Sequence, residues 1–307
     1  MAAHSTAQGR PSDSLVPLFS DIDSRTAVVQ WDRRFKLLAL PLVLWQIIFF
    51  LVPFLYLLTI TFWRLKDFQT VPAFTLVNYV SVFGTGYYWA GYLRSLQLSA
   101  ITGLVVLAVA VPSAYALVCY CGARIRTLLV LLMLVPLLTS YVVRVYAWNI
   151  VLADNGLVNA TLRLLDLGPF HLLYTKIAIV VGLVSYYLPV AVLGLFIAIS
   201  SIEPSVLEAT TNLGCGPFRI LWEIVVPSIR RAIIFMFLFL FILAFGDVIS
   251  AANLGGNQTY LLSTMILDRI KIGQWPEAAV MAMWTLATFS ILLAGAILLS
   301  RRPRVLS

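Results

Sequence analysis

Six long apolar stretches punctuate this chain, at roughly 37–62, 95–119, 127–150, 177–200, 229–250 and 279–300. A helix crossing a bilayer needs about 20 apolar residues, and each stretch meets that length. Charge, proline or glycine bounds each one. Pro41, Pro53, Pro112, Pro136 and Pro189 fall inside the runs, where neighbouring helices can satisfy the freed backbone groups, and they predict kinks. The pattern gives an all-α, polytopic membrane protein with a six-helix domain over 37–300. Residues 1–36 read as a cytoplasmic tail without the apolar core of a signal peptide, and residues 301–307 as a second tail.

Composition agrees. Of 307 residues, 61% are hydrophobic and 11% charged, far from the roughly 25% charged of soluble domains. The net charge of +8 is explained by topology rather than by nucleic acid. With the N-terminus inside, 13 of the 21 Lys and Arg residues fall on the inner side and 7 on the outer, leaving Arg144 within a span. Both termini and the segment 203–227 are therefore expected in the cytoplasm. Three cysteines, Cys119, Cys121 and Cys215, form neither a zinc pair nor a disulfide framework. The loops on the outer side are distinctive: residues 63–94 are rich in Tyr, Trp and Phe, as suits an interfacial belt, Asp154-Asn155-Gly156 is a turn signal, and Trp275-Pro276-Glu277 precedes the sixth span.

The longest polar interruption runs from Glu203 to Pro227. Proline at a first helical position loses no hydrogen bond, so Glu203-Pro204 predicts a helix start, and Gly214 predicts its end near Leu213 in a left-handed conformation. Val206, Thr210 and Leu213 share one face of that helix, with Glu208 and Thr211 elsewhere. Pro217 opens a second short helix offering Phe218, Leu221 and Trp222 for packing, and Pro227 is expected to end it. By composition alone this is equally an amphipathic hairpin lying on the headgroups.

The spacing of the segment is more specific. Glu208-Ala209-Thr210, three residues, Gly214, nine residues, Ile224, one residue, Val226-Pro227 resembles the EAA signature of permease subunits of ATP-binding-cassette importers, with Thr210 in place of the second Ala and Val226 in place of Leu. The resemblance implies a coupling helix that docks on a cytoplasmic ATPase, with Glu208 as its contact. None of the four lysines follows glycine, so a phosphate-binding GxxxxGK loop is absent and ATP with its magnesium would be held by partner subunits. Further stretches, Pro136 to Trp148, Asp154 to Asn159, Leu173-Tyr174-Thr175, Gly246 to Ile249 and Gln274-Trp275-Pro276, look like spermidine/putrescine importer permeases. The resemblance covers most of 37–300 and implies the MetI-like, type I importer fold in a bacterial inner membrane. It also implies a second and different permease subunit, two ATPases and an external solute-binding protein. Residues Ser250 to Gly256 keep Leu-Gly-Gly but lack the Pro and Glu of the polyamine pattern, which leaves the solute open.

Ionisable residues inside spans are costly and mark function. Arg144 lies 17 residues beyond Thr127 and Asp247 18 beyond Ile229, each about 25 Å along its span at ~1.5 Å per residue. They are expected at one depth, either as a structural ion pair or as a path in which Asp247 attracts a cationic solute, Arg144 gates it, and Tyr141, Tyr146 and Trp148 supply cation–π contacts. An ion-coupled secondary transporter is the alternative function, but no inverted repeat or mid-membrane acid is apparent. A membrane-embedded enzyme lacks clustered His, Cys or carboxylates, since His4 and His171 lie in a tail and a loop.

Overall fold

The computed structural model describes residues 33–66, 69–256 and 259–301; of the tails expected at 1–36 and 301–307, residues 1–32 and 302–307 lie outside the described residues, and 33–36 and Arg301 are helical. The chain divides after Tyr56 into two units. In the first, α1 (Arg33–Gln46) runs into a π-turn (Ile47–Leu51) and then α2 (Val52–Ile60). Leu40–Ile60 is apolar enough to cross a bilayer, and its side chains from Leu40 to Pro53 are exposed, as suits a helix facing hydrocarbon. Pro53 lies two residues beyond the last residue of the π-turn, whose wider hydrogen-bond spacing accommodates the donor the proline lacks.

The second unit begins at Leu57, with the last turn of α2, and continues into a short hairpin, β1 (Arg64–Lys66) antiparallel to β2 (Gln69–Val71). The amide of Asn78, on α3 (Val77–Gly84), fastens this stretch by donating to the carbonyls of Thr61 (2.8 Å) and Trp63 (2.7 Å). The longest helix is α4 (Gly86–Cys119), starting nine residues before the expected span. Tyr87, Tyr88, Trp89 and Tyr92 are thus helical rather than loop residues. Pro112 is carried without a break.

Helix α4 packs along α8 (Lys176–Ser200) and α12 (Arg230–Phe245) to form the core. Leu98, Val106, Ala110 and Ala114 meet Ile179, Leu183, Ala191 and Leu195 of α8, Leu240 and Ala244 of α12, and Leu254 of α13 (Ile249–Gly255). Lipid offers apolar groups as good a solvent as leucine, so close approach rather than apolarity holds such helices together. Glycines make it possible: a Cβ on Gly182 would strike the Leu254 side chain, and one on Gly194 the Met236 side chain.

A second cluster joins α3, the start of α4, α14 (Leu262–Lys271) and α15 (Trp275–Arg301) through Val82, Tyr88, Leu262, Met265, Val280 and Met281. Here Glu277 accepts from Ser81 Oγ (2.9 Å) and Tyr88 OH (3.2 Å) and pairs with Arg269 Nε at 3.5 Å.

Four helices among the described residues are long and apolar enough to cross a membrane alone: Leu40–Ile60, α4, α8 and Trp275–Ser300. The expected third and fifth spans are not straight helices. The third consists of α5 (Ala123–Leu138) followed by α6 (Tyr141–Leu152) and α7 (Leu157–Leu164), with Ala123–Leu138 and Tyr141–Leu164 bent by 92°. Pro136 sits at the end of α5, where its missing donor favours termination. The fifth is preceded by α10 (Pro217–Ile220), a π-turn (Leu221–Val225) and α11 (Val226–Ser228), and Pro217–Ser228 is bent by 78° from α12. Six crossings result only if each bent pair is one crossing.

Candidate functional site

The gap between α12 and α13 holds Gly246, Asp247 and Val248. Asp247 Oδ2 accepts the backbone N–H of Ser250 (2.9 Å), meeting one of the orphan donors of the first turn of α13. Its Oδ1 accepts the phenol of Tyr141 (2.6 Å), which also lies 2.5 Å from Ser250 Oγ. The Asp247 carbonyl accepts from Ser263 Oγ of α14 (2.9 Å). Tyr141 is the first residue of α6, so the break between α5 and α6 and the gap between α12 and α13 share one polar junction.

Arg144 is near this junction but does not pair with Asp247. Its Nη2 donates to Thr139 Oγ1 (2.5 Å), and its guanidinium carbon stands 5.0 Å from the centre of the Tyr186 ring. The expected ion pair fails because the residue count assumed a straight helix, whereas α6 turns away at Thr139-Ser140 and gives Asp247 to Tyr141. Tyr186, on α8, is 4.6 Å from the Tyr141 ring, centroid to centroid, and so links Arg144 to the carboxylate through two aromatic rings. Trp148 Nε1 donates to Ser185 Oγ (2.7 Å), and Asn149 Nδ2 to the Asn253 carbonyl (2.9 Å), both holding α6 on its neighbours. Tyr146 is 54% exposed and turned away from this group. Of the five expected path residues, Tyr141, Arg144, Asp247 and Trp148 thus belong to one wall and Tyr146 does not. Tyr186 was missed, although adjacent phenols at 186–187 inside an apolar run were the signal that could have found it.

The second candidate region is the segment between α8 and α12. Helix α9 spans Pro204–Asn212, with Pro204 at its first turn as expected. It closes in a Schellman motif: Cys215 N–H reaches the Thr210 carbonyl (3.2 Å), Gly214 N–H the Thr211 carbonyl (3.0 Å), and Gly214 has φ +78°. Leu207 and Thr210 turn inward, while Val206 and Leu213 are exposed. Leu207, Glu208 and Thr211 line a cavity of about 740 Å³ together with Tyr115, Val118 and Cys119 of α4, Arg126 of α5 and Ser200 of α8. Arg126 spans that junction, donating to the carbonyls of Leu117 (3.0 Å), Val118 (2.8 Å) and Cys121 (3.1 Å) at the C-terminal end of α4.

In the second half of the segment Ile220, Leu221 and Val225 are buried, and Phe218 and Trp222 remain exposed with rings 6.1 Å apart. Of the three residues expected to pack, only Leu221 does. Pro227 lies one residue before the end of α11 at Ser228, and the bend follows at Ile229, so the helix closes where that proline was expected to close it. Among the described residues no three His, Cys, Asp or Glu side chains come together as a metal site.

A helical, multi-pass membrane protein with its polar groups gathered at helix breaks has the architecture of a transport subunit. Residues 85–301 match the family model described as the binding-protein-dependent transport system inner membrane component, and the chain belongs to that family, the permease subunits of ABC importers. It is 27% identical over 270 residues to the spermidine/putrescine transport system permease protein PotB of Haemophilus influenzae, covering 85% of this chain and 93% of the relative. It is 28% identical over 276 residues to the inner membrane ABC transporter permease protein YdcU of Escherichia coli, covering 85% and 87%. Its fold matches a chain of a bacterial ABC transporter involved in the import of the acidic polysaccharide alginate, with a TM-score of 0.76 and 18% identity over 95% of this chain and all of the other.

Proposed function

We propose that this chain forms, with a second and different permease subunit, the translocation path for a small organic cation, a polyamine such as spermidine or putrescine or a related compound. The observation that carries the reading is the Asp247 carboxylate, set in a helix gap and faced by Tyr141 and, beyond it, Tyr186. A carboxylate in a low-dielectric wall attracts a cation far more strongly than it would in water, and tyrosine faces add cation–π attraction. The polyamine permease relatives support the same solute class.

Energy enters through the segment 203–227, facing the cytoplasm together with both termini. The motif residues Glu208, Ala209, Thr210, Gly214, Ile224 and Pro227 shape a coupling helix and its return, with exposed Leu213, Phe218 and Trp222 offering apolar contact to one of two ATPase subunits. Those partners carry the ATP and magnesium. Closure of the ATPases moves α9 to α11, the bend at Ile229 passes the motion to α12, and α12 ends at the gap that holds Asp247. The site thereby opens outward to receive solute from an external binding protein, and hydrolysis returns it. The ion-coupled alternative finds no support in the family assignment.

The test is ATP-dependent uptake into proteoliposomes holding the chain with the subunits that copurify with it, with the external binding protein supplied. Labelled spermidine or putrescine should accumulate, and amino acids and sugars should not. Uptake of uncharged solutes alone, or uptake without ATP, would overturn the proposal.

A further inference from the structure

Arg144 is a cation whose surroundings satisfy it incompletely. Nη2 has Thr139 Oγ1 and the guanidinium has the Tyr186 ring, but Nη1 is buried without a hydrogen-bond partner. An unmet donor shut away from water raises the energy of the arrangement that contains it. The guanidinium nevertheless occupies an aromatic face that continues, through Tyr141, to the Asp247 carboxylate.

We propose that Arg144 is a resident competitor for the solute: its guanidinium holds the Tyr186 face as a stand-in for the solute's positive group, and an ammonium group displaces it from that face, where the Tyr141 ring stands between it and the Asp247 carboxylate. This rests on the cationic-solute reading above. Two positive charges cannot share one ring face in a low-dielectric wall, so arrival of one expels the other. The loosely held partner is the one that leaves. Its exit is easy, because Thr139, its hydrogen-bond acceptor, lies in the break between α5 and α6, where the backbone can turn without disrupting a continuous helix. Selection follows as well: a neutral solute cannot replace the guanidinium on the ring, and an anionic one would be drawn to Arg144 and repelled by Asp247. Tyr186 becomes a specificity-determining residue that contacts the solute directly.

The experiment is equilibrium binding of labelled spermidine to the detergent-purified permease–ATPase complex, without binding protein. Arg144→Gln, which removes the competing charge, should bind spermidine about tenfold more tightly than wild type, and Arg144→Lys should resemble wild type. Tyr186→Leu should bind about tenfold more weakly, and Tyr186→Phe, which keeps the ring face, should match wild type. Arg144→Gln binding no tighter, or Tyr186→Leu binding as wild type does, would overturn the competition. If Arg144→Gln fails to assemble, the Tyr186 pair decides, since the competition requires that ring. Wild-type uptake confined to neutral or anionic solutes overturns both this inference and the cationic reading. Spermidine uptake by wild type with unaltered binding in Arg144→Gln overturns this inference alone.

Discussion

The phenol of Tyr141 donates to Oδ1 of Asp247 over 2.6 Å, tying the first residue of α6 to the carboxylate in the gap between α12 and α13. Two interruptions far apart in sequence are therefore one structural unit. A hydrogen bond to a charged group contributes about 1.5–3 kcal/mol, and without the Tyr141 phenol the carboxylate would keep the bond from the Ser250 backbone N–H. Tyr141→Phe should lower unfolding stability by about 1–3 kcal/mol in a detergent denaturation series. Uptake should fall by about tenfold as the gap loses its fixed geometry. Wild-type stability and uptake together would show that the two breaks act independently.

Asp247→Asn separates charge from shape. The amide oxygen can still accept from Tyr141 or from the Ser250 N–H, so the gap keeps its form and the melting temperature should stay within a few degrees of wild type. Cation uptake should drop by about tenfold or more, because the attraction scales with the lost charge. A lower melting temperature with unchanged uptake per assembled complex would assign Asp247 a purely structural role.

Hydropathy was enough to find α8 and α15 to within a few residues, since a bilayer sets the length of an unbroken apolar helix. Pro136 marked a kink close to the break at Thr139-Ser140, but hydropathy could not find the size of that bend or the break at Gly246 to Val248. These residues sit in windows as apolar as their neighbours, and the breaks depend on side chains such as Tyr141 and Ser250 satisfying freed polar groups. The turn chemistry of α9 was legible because Pro204 and Gly214 act locally. Which of its faces packs was not legible, because Leu207 is turned inward by the ends of α4 and α8 beside it. Asp247 could be singled out by its charge alone. Its partner could not, because one assumed straight helix placed Arg144 beside it and the actual bend brought Tyr141.

Glu277 and Arg269, with side chains 20% and 29% exposed, hold α3, α4, α14 and α15 together, Arg269 also lying 5.4 Å above the Tyr88 ring. Glu277→Ala would leave the guanidinium half-buried and unpaired, and Ser81 and Tyr88 without an acceptor. Partial exposure moderates the loss, which should be about 1–3 kcal/mol in thermal or chemical unfolding. Replacing both with methionine should recover part of it, because the stranded charge is gone. A double mutant as unstable as the sum of the singles would mean that the two side chains do not interact energetically.

Gly214 sits at φ +78°, and a Cβ placed there meets nothing within 4 Å. Any effect of a substitution must therefore come from the backbone conformation rather than from a clash. A β-branched residue resists the left-handed region, where side chains cost about 1–2 kcal/mol, whereas asparagine tolerates it. Gly214→Val should unwind the Schellman closure, in which Cys215 and Gly214 donate to Thr210 and Thr211, and so change the course of the chain from Glu208 to Phe218. Because α9 lies at the edge of the fold with Leu213 81% exposed, the melting temperature of the transmembrane part should barely move. The reading is ATPase capture on the tagged chain and stimulation of its activity. Both should fall severalfold in Gly214→Val and stay near wild type in Gly214→Asn, in keeping with ~1–2 kcal/mol. Equal capture and stimulation by the two variants would mean that the ATPase does not recognise the shape of this turn.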